Sequence, residues 1–390
     1  MDVDKFGWTP KCPARFTNGL VDIRQIDEQT FALWGGDVPT LHPIANHLDE
    51  GYVHALTLNS TFNSPEYNVF KDGKPQAITK VASDRRRLEA TRFEAASRAL
   101  SQTFFRGKVW RQEEVSMILN VQVTVDDIPL EPPEIIASRR HLLGLDRGVG
   151  INVCPKGAYV DLHYGMVSHS AAFILLIVGT LDEGLRGLSR TFGPCTKVWI
   201  LFPGCVPENR ALFHQLNGTR NILARAGDMI GGIVAKVDSS FDIELPAGAL
   251  HAVFTLTGGF LAGINYTSIE CLPMMGAWLE GCLESFQVNP KNTCADLDKY
   301  LKALVATMAN QMPEHIPGAT SSWLRLLPIL QSIMDRQLST PKLYSLLRGL
   351  EKEIKQGRKD LHWATSCGCG SYASDFGGHF LKNHLVHIES

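Results

Sequence analysis

Between residues 148 and 268 the chain is cut into short apolar runs, and this segmentation limits its fold more than any other feature. The runs are "GINVCP", "AYVDLHYG", "AAFILLIVG", "KVWILFPG", "GGIVAKV", "FDIELPAG", "HAVFTLTGG" and "FLAGINYT". They are rich in β-branched and aromatic residues and are bounded by Gly or Pro, the pattern of buried strands closed by tight turns. Even "AAFILLIVG", at 171–179, is too short for a membrane span and reads as a buried strand. A series of this kind predicts a double-sheet jelly roll or barrel. One longer interval, "TLDEGLRGLSRTFGPC" at 180–195, is rich in Gly and charge and is expected to be a surface insertion or lid.

The flanks have other patterns. Residues 1–82 carry short runs such as "YVHALTLNSTF" that read as extended, and "SDRRRLEATRFEAASRAL" opens on the helix-start residues Ser83 and Asp84. Its apolar spacing predicts a helix near 84–104 with its arginines on a solvated face. "IPLEPPEII" at 128–136 reads as a linker. Beyond 270, Leu297, Tyr300, Leu301, Leu304, Val305 and Met308 form one helical stripe, and Leu343, Leu346, Leu347, Leu350 and Ile354 form another. "SSWLRLLPILQSIMDRQL" is apolar over a wide arc, bent at Pro328, and suits burial or a homodimer contact through the C-terminal helices. The expected class is α+β. An N-terminal α/β segment (1–135) precedes a β-barrel core (136–270), a helical region (271–360) and a Cys/His-rich tail (361–390).

Charge and cysteine content set the surroundings. With 38 basic against 40 acidic residues the chain has no field that would draw it to nucleic acid or an anionic membrane. The N-terminus has acids where a secretory signal has a basic region, and the 9 cysteines are mostly scattered singly. Reduced thiols inside a cell, in cytoplasm or nucleus, are the expectation. The substrate or partner, protein or small molecule, is not readable.

Two histidines of the apolar runs stand out. Strict alternation along "YVDLHYG" puts Tyr159, Asp161, His163 and Gly165 on one face, and His251 follows the turn "LPAG" into another strand. Imidazoles on neighbouring strands can meet one metal ion, and a carboxylate two residues after the first would complete a facial triad. A lone histidine on an apolar strand is more often a satisfied core residue.

The segments "GINVCPKGAYVDLHYG", "TKVWILFPG" and "IELPAGALHAVFTLTGG", in this order across 148–268, resemble the JmjC-type cupin family of Fe(II)- and 2-oxoglutarate-dependent oxygenases. The resemblance implies a double-stranded β-helix (jelly-roll, cupin) core with His163 and His251 as iron ligands. It implies that Lys197 pairs with the distal carboxylate of 2-oxoglutarate, and that Asn265 and Tyr159 add hydrogen bonds to the co-substrate. Two positions depart from the family. Its acidic ligand falls on Gly165, and a threonine common three residues before the first histidine is Val160. Water, His169 or Asp161 is then the substitute ligand in a hydroxylase- or demethylase-type oxygenase. The alternatives are an exogenous anion at the vacant position, as in halogenases, and a non-catalytic binding module.

The tail "SCGCGSYASDFGGHFLKNHLVHI" gathers Cys367, Cys369, His379, His384 and His387. A Cys-x-Cys turn followed by histidines on a short amphipathic helix can supply four zinc ligands, with Cys367, Cys369, His379 and His384 as the expected set. The plain alternative is a Gly-rich disordered tail.

Overall fold

The computed structural model describes residues 19–63, 68–71, 74–75, 85–105, 110, 115–124, 126–130, 142–145, 148–164, 186–216, 222–288, 290–356, 361 and 363–386. They fall into two units, one of Met1–Pro132, Asp146–Ile177 and Gly187–Asn265, the other of Pro133–Leu145, Val178–Arg186 and Tyr266–Ser390.

In chain order the strands are β1 (Val21–Asp22), β2 (Thr40–Pro43), β3 (Asn68–Lys71), β4 (Lys74–Pro75), β5 (Ser116–Thr124), β6 (Leu142–Leu145), β7 (Gly148–Cys154), β8 (Tyr159–Tyr164), β9 (Arg186–Phe192), β10 (Thr196–Phe202), β11 (Ile233–Val237), β12 (Phe241–Leu245), β13 (Leu250–Thr257) and β14 (Gly259–Ser268). One sheet runs β1-β11-β10-β13-β8, and another β2-β12-β9-β14-β7-β5-β3-β4 with β6 beside β14. The recorded pairings are antiparallel except β1 with β11. The chain is therefore mixed, with antiparallel sheets and helices, as the α+β expectation has it.

The two sheets of the first unit bury side chains against each other. Trp199, Leu201, Ile233, Ala235 and Val253 from one join Ile243, Leu245 and Leu261 from the other in one cluster. Each of the valine, leucine and isoleucine side chains contributes about 1.5–3 kcal/mol on leaving water, and alternation along each strand supplies one inward position in two. Seven of the eight apolar runs are strands; the eighth, 171–179, lies outside the described residues.

Two expectations fail in this unit. Part of the interval expected as an insertion or lid is β9, which lies between β12 and β14 and is buried along most of its length. Its polar residues hid it: Arg190 enters the sheet because Asp242, directly opposite on β12, accepts from Nε and Nη2 at 2.7 Å each. Residues 180–185 lie outside the described residues. "YVHALTLNSTF", read as extended, is helical. The helices begin with α1 (Glu28–Leu33), and α2 (Glu50–Asn63) takes up this stretch. Asp49 caps it by accepting from Tyr52 N at 3.0 Å. Its inward stripe is Val53, Thr57 and Thr61, and two threonines blur the apolar period. Helix α3 (Arg85–Phe104) forms where predicted, while Ser83 and Asp84 lie outside the described residues. Ile128 and Leu130, at the start of the expected linker, are fully buried. Helix α4 (Pro207–Leu216) and a 3-10 helix (Ile222–Asp228) follow β10.

The second unit carries α5 (Leu272–Glu284), α6 (Pro290–Ala309), α7 (Ile316–Asp335), α8 (Pro341–Lys355), the hairpin β15 (Thr365–Ser366) with β16 (Tyr372–Ala373), and α9 (Phe376–Asn383). Both stripes read from the sequence lie on helices, α6 and α8. Helix α7 continues through Pro328, and its apolar arc (Ile316, Ala319, Trp323, Leu326, Leu330, Ile333) is buried in the chain itself. Tyr300 OH donates to Ser322 Oγ at 3.1 Å, and Ser322 Oγ donates to Leu272 O at 3.2 Å, which ties α5, α6 and α7 together. Among the described residues no helix is long and apolar enough to cross a membrane.

Candidate functional site

His163 on β8 and His251 on β13 are direct cross-strand partners. Their ring centroids are 4.2 Å apart, and Trp199 on β10 packs beside His251 at 5.5 Å. Nδ1 of His163 lies 2.8 Å from Asp161 O, and Nδ1 of His251 lies 3.1 Å from Ala249 O. Each carbonyl takes the Nδ1 proton of a neutral ring, so Nε2 is the nitrogen with the lone pair. Burial holds both imidazoles below their ordinary pKa, and His251 is lowered further by the neighbouring His163. Two neutral rings, each oriented through Nδ1 by a backbone acceptor, form a donor set for a divalent transition metal.

The histidines line a cavity of about 40 Å³, shared with Met117, Asn120, Asn152, Tyr159, Lys197, Trp199 and Thr255. Lys197 is 1 % exposed, and its Nζ donates to Thr255 Oγ1 at 2.9 Å. Among the described residues no carboxylate pairs with it, and no acid lines the cavity. A buried ammonium facing one hydroxyl is undersatisfied, and the partner that best offsets its desolvation is an anion. Trp199 adds a buried indole N–H with no acceptor among the described residues. The chamber thus offers two lone-pair nitrogens and, from β10, a cation and a neutral donor.

A β-bulge decides which residues of β8 reach it. Against β13 the register steps from His251↔His163 to Val253↔Val160, so Asp161 and Leu162 together face one residue. The step breaks strict alternation: Tyr159, Val160 and His163 line the cavity, and Asp161 does not. The Asp161 carboxylate instead accepts from Ile222 N, Leu223 N and Leu162 N at 3.0, 3.0 and 2.8 Å. As a substitute ligand Asp161 is corrected by this geometry, because the carboxylate is turned away and occupied with amides. Asn265 is likewise not a lining residue; its Oδ1 sits 3.7 Å from where a Cβ on Gly187 would stand. Gly165 and His169 lie outside the described residues.

Sequence reasoning missed Asn120 and Asn152. Asn120 has φ of +62° at a register shift in β5, and its N–H donates to Asn152 Oδ1 at 2.8 Å. The signal was an asparagine flanked by apolar residues in each of two strand-like runs, "MILNV" and "GINVC".

A separate cluster lies in the second unit. One donor atom each from Cys367, Cys369, His379 and His384 lies within 4.8 Å of the others, an arrangement that could hold a metal ion. Cys367 and His384 are buried, and Cys369 is exposed. Burial raises the Cys367 thiol, whereas the Ser371 hydroxyl beside Cys369 pulls that thiol down to about 6. His387 lies outside the described residues.

No family model matches the chain, and no curated protein matches it.

Proposed function

We propose that the first unit is a JmjC-like double-stranded β-helix whose cavity binds Fe(II) and 2-oxoglutarate. The protein is then a 2-oxoglutarate-dependent oxygenase of the hydroxylase or demethylase type with an atypical His-x-Gly motif. One observation carries this reading: one cavity gathers two neutral imidazoles and a buried ammonium, with no acid in its lining and no carboxylate paired with the ammonium among the described residues. Metal and dicarboxylate are the ligands that answer those two needs together.

His163 and His251 would hold the metal through Nε2, with Asp161 O and Ala249 O fixing the rings. Lys197, steadied by Thr255, would bind the far carboxylate of the co-substrate, and the Trp199 N–H would add a donor. If bound, the pair would activate dioxygen, one oxygen atom entering a substrate C–H bond and the other entering succinate as 2-oxoglutarate loses CO2. A cavity of about 40 Å³ has room for a few waters, so a dicarboxylate enters only if the apolar wall around Met117 and Leu119 yields.

A second reading, a non-catalytic binding module, is favoured by the absence of an acid from the described cavity lining and by the engagement of Asp161 elsewhere. A halogenase-like use of an exogenous anion stands beside it. Anaerobic Fe(II) binding combined with succinate release from 2-oxoglutarate separates them. Iron binding with 2-oxoglutarate-dependent succinate is expected, and Gly165→Asp is expected to raise iron affinity. Failure to bind iron or to turn over 2-oxoglutarate sinks the oxygenase reading and leaves the binding module. Halide incorporation into a substrate would favour the exogenous-anion form.

A further inference from the structure

The C-terminal cluster brings four soft or borderline donor atoms to within 4.8 Å of one another, close to the dimensions of a tetrahedral metal site. Cys367 Sγ is 3.4 Å from His384 Nε2, Cys369 Sγ is 3.4 Å from His379 Nε2, and the two Nε2 atoms are 3.0 Å apart. A tetrahedral ion with Zn–S near 2.3 Å and Zn–N near 2.0–2.1 Å sets S···N edges of about 3.6 Å and an N···N edge of about 3.3 Å. The observed edges fall short of these by only a few tenths of an ångström. The four donor atoms lie within 4.8 Å of one another, and two of them, from Cys367 and His384, are withdrawn from water.

The backbone around them is built to hold this arrangement. The cysteines sit at the tip of the β15–β16 hairpin, where Cys367 N donates to Ser371 O at 2.8 Å and Gly370 N to Cys367 O at 3.0 Å. Gly370 has φ of +85°, the left-handed region that favours glycine. Gly368 lies so close to α7 that a Cβ would stand 2.4 Å from Ser321 N, and its own N–H donates to Thr320 Oγ1 at 2.6 Å. Asp375 caps α9, accepting from Gly378 N at 3.0 Å, and so sets the turn that carries His379. Trp323 on α7 donates its indole N–H to His384 O at 2.7 Å and stacks on Phe380, centroids 6.3 Å apart.

We propose that Cys367, Cys369, His379 and His384 bind one Zn(II) in a closed tetrahedral site that fastens the C-terminal hairpin and α9 to α7. Two thiolates with two imidazoles select a borderline-soft ion over Mg(II) or Ca(II). Four protein donors leave no position for water or substrate, so the role is structural. The site shares no residue with the His163–His251 cavity, and the inference stands or falls apart from the oxygenase reading.

The test uses the full chain. Purified protein is desalted and its zinc measured, then Zn(II) is exchanged for Co(II) and the spectrum recorded. One zinc per chain, a thiolate-to-cobalt charge-transfer band and the intense visible bands of tetrahedral Co(II) are expected. Cys369→Ser, at an exposed position, should lose the zinc equivalent and the charge-transfer intensity with circular dichroism largely kept. His163→Ala with His251→Ala should keep both. A weak octahedral-type Co(II) spectrum in the unaltered chain overturns the proposal without recourse to any variant. Full zinc retention in Cys369→Ser also overturns it.

Discussion

Lys197 carries a positive charge into a cavity whose described lining holds no acid. Lys197→Met keeps the aliphatic stem and removes the ammonium with its desolvation cost. The thermal midpoint should hold or rise, because replacing a buried charge by an apolar chain of similar volume is often neutral or stabilising. Affinity for 2-oxoglutarate, read by calorimetry, should fall by ~10-fold or more, the loss of one charge-assisted contact. A Lys197→Met protein that binds 2-oxoglutarate unchanged would remove this residue from the anion site. The paired histidines give a pH prediction. Burial depresses both in the folded state, from an ordinary value near 6.5, so below about 6.5 the unfolded chain binds more protons than the folded one. The histidine contribution to the stability of the metal-free protein should therefore be level above about pH 6.5 and decline as pH falls below it, measured by urea denaturation. His54 and His214, also depressed by burial, act with the same sign, so His163→Gln with His251→Gln should lessen the slope without abolishing it.

At the level of elements, β9 shows how charge is admitted to a sheet interior. Arg190 and Asp242 are 14 % and 5 % exposed and form a two-pronged cross-strand pair. Asp242→Asn leaves the guanidinium half-answered, and the expected loss is about 3 kcal/mol in urea denaturation. A change under about 1 kcal/mol would mean that water already shares the pair. The same strand shows where sequence reading stops. "RGLSRTF" has the polarity of a surface loop, and only a partner 52 residues away makes it an inner strand. Helix α2 was misread for a related reason, since Thr57 and Thr61 occupy buried positions of its inward stripe; the Thr57 hydroxyl is satisfied locally by donating to Val53 O at 2.6 Å. By contrast α8 was legible because its buried stripe is wholly aliphatic, and α6 because Leu297, Tyr300, Leu301, Leu304, Val305 and Met308 keep the helical period although Thr293, Asp296 and Thr307 are buried beside them.

At the level of the whole molecule, the two candidate metal sites belong to different units, His163 and His251 in one and the Cys/His cluster in the other. Ligand linkage should accordingly be local. Zinc chelation should speed amide hydrogen exchange across 363–386 and the facing turn of α7 near Thr320–Trp323, and leave β8, β10 and β13 unchanged. Uniform acceleration through both units would contradict this separation. A homodimer through the C-terminal helices, expected from the apolar arc of α7, would have to use other faces, since that arc is buried within the chain.

The sequence by itself determined the strand segments, the aliphatic helical stripes and the chemical types at both candidate sites, because apolar periodicity and donor identity are local properties. His163, His251 and Lys197 could be named from it, as could the four Cys/His donors. Only the tertiary structure decided what those residues face. The bulge in β8 exists because of its register against β13, and it turns Asp161 to the amides of Ile222 and Leu223 and away from the cavity. Asn120 and Asn152 reach the cavity through a pairing of β5 with β7, and among the described residues the strands around Lys197 bring it a hydroxyl and no carboxylate. Side-chain type is written residue by residue, whereas direction and partnership depend on strand register, which no single segment contains.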